Sequence, residues 1–490
     1  MRNQTQLITY VDRLAGDLTG LLALLNGPLA GVFGGVHLLP FFHPIDGSDA
    51  GFDPIDHTSV DHRLGGWGEV AEIGESYDVM ADLIVNHMSA QSAQFLDWSQ
   101  NGSESSYDGM FLTYETVYPG GATEQELLAT YRPRPGLPFS LATIDGRLRL
   151  MWTTFTSNQI DIDVSHPEAR AYLLQILDRL AQAGVNLVRL DAVGYGVKKR
   201  GTSSFMIPET FEFIEGLRRE CVARGMTMLV EIRGYFRTQM KIAEKVDLVY
   251  DFALPALVLD ALYTGDSGPL KEWIGIRPLN CVTVLDTHDG IGVVDVGADP
   301  ISGGPALLPP ARLDALVERM HSESGGTSRL ATGAAASNLD LYQVNCTFFD
   351  ALGADPVRYQ IARLIQVLLP GVPQIYYVGL LQGRNDVELL NRTGVGRDIN
   401  RHYYSDGELA AALEDPAVSE LLHLYRWRNN EPVFGGDFSV LETDDSHLSM
   451  VWTAAERSVQ VDIDLGELSV HTVVQTGSER TEFSGLEFCR

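Results

Sequence analysis

The chain has 490 residues, 45% of them apolar, with four cysteines and a formal charge of −29. The charge excludes nucleic acid and anionic membranes as partners, since both need basic patches, and no apolar run reaches the roughly 20 residues of a membrane span. The length predicts one large domain with insertions, or several domains. The acidic residues are scattered, which reads as a solvated surface; an anionic substrate would therefore need arginines of its own.

Residues 1–6 lack the basic-then-apolar layout of a secretory signal and run directly into strand-like Leu7-Ile-Thr-Tyr10, so a cytoplasmic protein is expected. Cys221, Cys281, Cys346 and Cys489 are far apart and form no C-x-x-C, which predicts reduced thiols rather than disulfides or a zinc site. Eight short apolar runs follow one another along the chain, at residues 6–11, 35–40, 79–86, 187–192, 228–232, 248–252, 282–286 and 373–378. Between several of them lie amphipathic stretches. Residues 168–183 carry Tyr172, Leu173, Ile176, Leu177 and Leu180 at helical spacing, and residues 211–224 follow Pro208 and carry Phe213, Ile214 and Leu217. Eight strands alternating with helices predict an α/β fold, a (β/α)8 TIM barrel.

Two gaps are too long for simple crossovers. The barrel is expected to take residues 1–84, 165–290 and 354–433. An inserted subdomain after strand 3 would take 85–164, and a second after strand 7 would take 291–353, where a run of small residues from Ala331 to Asn338 predicts a mobile loop. From residue 434 onward apolar and polar residues alternate, as in Ser458-Val-Gln-Val-Asp-Ile-Asp-Leu465, so residues 434–490 are expected to form a small antiparallel β domain. The spaced glycines Gly194/Gly196 and Gly394/Gly396 do not complete a dinucleotide-binding fingerprint.

Three carboxylates stand at or just beyond the ends of predicted strands: Asp191, Glu231 and Asp289. In a barrel such positions converge on one end. Strand alternation puts Arg189 and Asp191 on one face, where the guanidinium would keep the carboxylate ionised and oriented, as a nucleophile requires. Taken alone, that pair reads equally well as an internal salt bridge. Glu231 ends an apolar strand, and partial desolvation is expected to raise its pKa, leaving a proton to donate to a leaving oxygen. Asp289 follows His288; Asp-Gly is also a common turn pair, and His87 alone would read as structural. Together the three predict an enzyme of the glycosidic bond, retaining if two of the carboxyls lie about 5–5.5 Å apart.

The segments Asp82-Leu-Ile-Val-Asn-His87, Val188-Arg-Leu-Asp-Ala192, Val230-Glu-Ile232 and Val284-Leu-Asp-Thr-His-Asp289 resemble the four characteristic regions of the α-amylase superfamily, glycoside hydrolase family 13. Further stretches, among them Asp46-Gly-Ser-Asp-Ala-Gly-Phe-Asp-Pro-Ile-Asp-His57, Tyr131-Arg-Pro-Arg-Pro-Gly-Leu-Pro138 and Gly396-Arg-Asp-Ile-Asn-Arg-His-Tyr-Tyr404, are similar to its sucrose phosphorylase branch along essentially the whole chain. The resemblance implies a retaining transfer from sucrose to phosphate, yielding α-glucose 1-phosphate and fructose. It implies Asp191 as nucleophile, Glu231 as acid and base, and Asp289 as transition-state stabiliser. Asp49, Phe52, His87, Phe155, Arg189, Tyr195, His288 and Arg397 would hold the glucosyl group. Arg134, Arg233, Asp340, Leu341, Tyr342 and Gln343 would line the acceptor or phosphate side, the loop holding Asp340 to Tyr342 moving between acceptors.

The resemblance also implies small-molecule partners only, a homodimer through the first insertion, and neither cofactor nor metal. Asn86 matches a calcium-ligand position of many amylases, but no acidic cluster near residues 88–105 would complete an oxygen cage. One position departs from the branch: Arg233 stands where a histidine is expected. A guanidinium there could favour phosphate, or a sister substrate such as sucrose 6'-phosphate, glucosylglycerol or glucosylglycerate. A hydrolase or isomerase on the same scaffold is a further alternative. A non-catalytic sugar-binding protein should lack one of the three carboxylates, and all three are present.

Overall fold

The computed structural model describes every residue except 48, 133–135, 300–302 and 332–342. Eight parallel strands close into a barrel: β1 (Gln6–Thr9), β2 (Gly35–Leu38), β3 (Asp78–Ile84), β4 (Leu187–Asp191), β5 (Thr227–Val230), β6 (Leu248–Asp251), β7 (Cys281–Thr283) and β8 (Val372–Tyr376). They pair in chain order, and β1 closes the ring by pairing with both β2 and β8. Each falls on or within two residues of an expected run. Helices cover the outside and side chains fill the inside, so the strands are buried on both faces and read as near-continuous apolar runs.

The barrel interior also contains polar groups, each with a partner. Gln374 of β8 donates to Gln6 of β1 at 2.8 Å and accepts from the Tyr250 hydroxyl of β6 at 3.3 Å. His37 of β2 lies 3.1 Å from Asp82 of β3. Satisfied in this way, buried polar groups fix one arrangement of the strands without the cost of orphaned donors.

Helix α1 (Pro167–Gln182) follows the first long excursion and helix α2 (Pro208–Ala223) joins β4 to β5. Both begin with proline at the first turn, where a missing N–H costs nothing. In α1 Tyr172, Leu173, Ile176, Leu177 and Leu180 are all buried, as the spacing predicts. In α2 Ile214 and Leu217 are buried while Phe213 is half-buried.

Between β3 and α1 the chain forms a short strand pair (His87–Ser89 with Gln159–Asp161), a helix (Ala93–Asn101) and a hairpin (Phe139–Ile144 with Arg147–Trp152). Leu112, Val117, Tyr118 and Trp152 form a small apolar cluster of their own there. Beyond β7 a two-residue ladder pairs Ile291–Gly292 with Gln343–Val344. The C-terminal region is a five-stranded antiparallel sheet, β9 (Asp437–Leu441), β10 (His447–Ala454), β11 (Arg457–Asp464), β12 (Ser469–Thr476) and β13 (Glu479–Ser484). Alternate residues Val459, Val461 and Ile463 of β11 are buried. Trp452 of β10 donates to the Leu368 carbonyl at 2.6 Å and anchors the sheet to the barrel's outer helix layer.

Candidate active site

Arg189 stands at the centre of the site. It points into the barrel from β4 with its side chain 3% exposed. Its guanidinium meets three carboxylates: Asp82, directly across on β3, Asp191 at 2.9 Å and Glu231 at 3.7 Å. The register makes this possible. Leu190 pairs with Val230, so Asp191 and Glu231 leave adjacent strand ends at the same height. Neighbouring strands lie about 4.8 Å apart, close to the roughly 5–5.5 Å between the carboxyls of a retaining pair. Ala192, just after Asp191, takes a left-handed conformation with φ of 54°. A non-glycine residue there is uncommon, and the sharp bend ends β4 at the carboxylate that faces the cavity.

Burial pushes the Asp191 carboxyl well above the ordinary range; Glu231, Asp82 and Asp289 add to this, while Arg189 opposes it. Arg189 favours the charged form of Asp191, but desolvation is the larger influence. Asp82 differs. Burial would raise it too, but Arg189 and His37 hold it well below the usual carboxylate range, so it is the fixed counter-charge of the arginine.

Asp289 lies past the end of β7. Arg397 approaches it at 3.0 Å, Arg233 and His288 at 3.8 Å. Burial disfavours its charge, yet Arg397, His288, Arg233 and Arg401 together hold it well below the usual range, so it is ionised throughout neutral pH. Burial keeps His288 and His87 neutral by lowering their pKa values. Asn400 and Arg401 secure the segment from behind: Asn400 donates to the carbonyls of Thr287 and Asp289 at 3.0 and 3.3 Å, and Arg401 to that of His288 at 2.8 Å.

The cavity over these carboxylates is lined by Asp49, Phe52, His87, Phe155, Arg189, Asp191, Tyr195, Glu231, Arg233, His288, Asp289 and Arg397, all expected from the sequence. The Phe52 ring stacks on His288 with centroids 4.8 Å apart. Phe155 packs edge-on against His87 and Tyr195. Gln343, expected on the acceptor side, is buried in the ladder with Gly292. Arg134, Asp340, Leu341 and Tyr342 lie outside the described residues.

Several lining or supporting residues escaped the sequence reading. Gln159 lies within 3.1 Å of the His87 ring and donates to Asp49 at 3.3 Å. Phe205 extends the aromatic wall beside Tyr195, and Asp295 lies behind Arg233. At Asn86, where a calcium ligand had to be considered, Lys198 donates to the side-chain oxygen at 2.8 Å and pairs with Asp161 at 2.7 Å. A cation of the chain's own thus sits on the oxygens that a calcium ion would need.

A closed eight-stranded barrel with carboxylates at these strand ends defines a class of glycoside-active barrel enzymes, and the family model for the alpha amylase catalytic domain matches residues 8–263. The chain is 54% identical over 487 residues to a sucrose phosphorylase from Agrobacterium vitis, covering 99% of both chains. It is 52% identical to one from Bifidobacterium adolescentis over 92% of this chain and 90% of that one. Its fold superposes on the crystal structure of a sucrose 6F-phosphate phosphorylase from Thermoanaerobacter thermosaccharolyticum with a TM-score of 0.91, at 34% identity, covering 99% and 98% of the two chains. The chain belongs to the α-amylase superfamily and, within it, to the sucrose phosphorylase family.

Proposed function

We propose that the protein is a sucrose phosphorylase, which transfers the glucosyl group of sucrose to phosphate with retention and releases D-fructose and α-D-glucose 1-phosphate. The observation that carries this reading is the arginine-bridged pair Asp191 and Glu231 on adjacent strand ends, in a chain 54% identical to a protein of that name.

In the proposed mechanism Glu231 gives its proton to the glycosidic oxygen as Asp191, in the ionised form that Arg189 favours, attacks C1. The C1–O bond breaks, fructose leaves, and a β-glucosyl ester forms on Asp191. A phosphate oxygen then attacks C1, Glu231 receives the phosphate proton, and the ester breaks with a second inversion. Asp289, ionised among its cations, stabilises the positive charge at the anomeric centre. Asp49, His87, Arg189, His288 and Arg397 hold the sugar hydroxyls, while Phe52, Phe155 and Tyr195 give it apolar walls. Arg134 and the segment from Asp340 to Tyr342 are proposed to meet phosphate and fructose, with 85–164 and 291–353 as the insertions that carry them. Arg233 raised the alternative of a phosphorylated or carboxylated leaving group. Its guanidinium is 4% exposed and lies against Asp289, Asp295 and the Phe252 ring, which favours the plain sucrose reading.

Further proposals concern the setting. Four free thiols, three of them buried, suit the reducing cytoplasm. The inserted hairpin leaves Leu141, Leu148 and Leu150 at 65%, 68% and 42% exposure on one face, which supports a homodimer through the first insertion. Leu148→Glu is then expected to give monomers in sedimentation; unchanged dimers would remove this surface from consideration.

Incubation with sucrose and phosphate tests the activity. Stoichiometric glucose 1-phosphate and fructose are expected. Sucrose left intact while sucrose 6'-phosphate, glucosylglycerol or glucosylglycerate is consumed would overturn the leaving group, and glucose release indifferent to phosphate would mean a hydrolase.

A further inference from the structure

Arg233 is suspended between two carboxylates. It stands 3.8 Å from Asp289 on one side and 3.8 Å from Asp295 on the other, and it lies over the Phe252 ring at 3.9 Å from the centroid. Neither ion pair closes to a hydrogen bond: Arg233 Nε and Asp295 Oδ2 have no hydrogen-bond partner among the described residues. Asp295 is fully buried, on the short helical turn Val294–Val296 beyond Asp289. Its other oxygen accepts from the Gly234 N–H at 3.0 Å and from Gln239 Nε2 at 2.7 Å. It therefore holds both the backbone next to Arg233 and one face of the guanidinium. Gly292 leaves room for this: a Cβ there would fall 2.4 Å from Asp295 Oδ2 and 2.7 Å from Arg233 Nη1.

We infer that Asp295 is a positioning residue for glucosyl transfer, a counter-anchor that keeps the Arg233 guanidinium from collapsing onto Asp289 Oδ2 and so leaves that oxygen, the one Arg397 does not approach, available to the sugar. The inference rests on the proposed role of Asp289. Without the pull of Asp295, Arg233 would close its remaining gap to Asp289, because a hydrogen-bonded ion pair in a buried site is stronger than a separated one. Asp289 Oδ1 already pairs with Arg397, so Asp289 would then meet the glucosyl group with both oxygens committed to arginines. Burial pushes the Asp295 carboxyl up to about 7 and Glu231 adds to this, whereas Arg233, the Gly234 N–H and Gln239 favour its charged form. The counter-anchor therefore gains its full charge only above neutral pH.

The test uses the full-length enzyme and α-D-glucosyl fluoride, a donor that reports on glucosyl transfer whichever natural leaving group the enzyme prefers. Asp295→Asn is expected to raise the donor KM about tenfold and to lower kcat. Adding Arg233→Gln to that variant is expected to recover much of the loss, since no guanidinium then remains beside Asp289 Oδ2. A merely structural role predicts the opposite, a second substitution that adds to the damage. Gly292→Ala, which wedges between the pair, gives the same test if Asp295→Asn does not fold. Wild-type donor kinetics in both Asp295→Asn and Gly292→Ala, or a double variant worse than Asp295→Asn, would overturn the inference. A wild-type enzyme that fails to turn over sucrose with phosphate would overturn the functional proposal instead and leave this comparison standing.

Discussion

Breaking a C1–O bond to a sugar leaving group requires a proton on the departing oxygen, and at the residue scale the account assigns that proton to Glu231. Fluoride leaves with far less need of one. Glu231→Gln is therefore expected to lower kcat on sucrose by about 10²–10⁴-fold, the usual worth of a general acid, and to slow the first step with α-D-glucosyl fluoride much less. Equal losses on both donors would show that Glu231 does not act as the acid. The three carboxylates were legible because each ends an apolar run, and Arg189 because strand alternation puts it on the face of Asp191. Gln159, Asn400, Arg401 and Asp295 were not. They act through contacts brought together from distant parts of the chain, as with Asn400 holding the carbonyl of Asp289, and no local pattern announces such a contact.

At the scale of elements, all eight barrel strands could be read from apolar runs, because parallel strands buried on both faces are predominantly apolar. The ladder joining Gly292 to Gln343 could not: two residues carry no periodicity. The junction between the barrel and its first insertion rests on Lys198. Its ammonium, 2% exposed, joins Asp161 of one short strand to Asn86 at the end of β3 and to the Tyr195 carbonyl. Lys198→Met would leave Asp161 buried without its cation, a loss of about 3–5 kcal/mol. Chemical denaturation is expected to show an unfolding free energy lower by that amount, with activity falling as the Tyr195 wall loosens; an unchanged unfolding free energy would mean that the pair contributes nothing to the fold.

For the whole molecule the stability profile follows from buried imidazoles. Burial lowers the pKa values of His57, to about 4, and of His87 and His288. An unfolded chain takes up protons at these positions from about pH 6.5 downward, whereas the folded chain resists until lower pH. Their contribution to stability is therefore complete above about pH 6.5 and is lost as the pH falls through the folded values. Asp295 runs the other way, its contribution present in acid and lost as the pH rises through about 7. Asp191, also raised by burial, runs with Asp295 against the histidines, so the comparison that isolates an imidazole is wild type with His57→Gln, where the wild-type advantage in thermal midpoint is expected to shrink from pH 6.5 toward 4. A wild-type advantage that stays constant over this range would remove His57 from the account.

Retention of configuration in glucosyl transfer to phosphate is the central claim, and proton NMR of the enzyme turning over sucrose in phosphate buffer tests it most directly. The account predicts α-D-glucose 1-phosphate as the first-formed product, its anomeric proton split by the phosphorus, appearing in step with fructose. β-Glucose 1-phosphate, or free glucose as the first product, would contradict it.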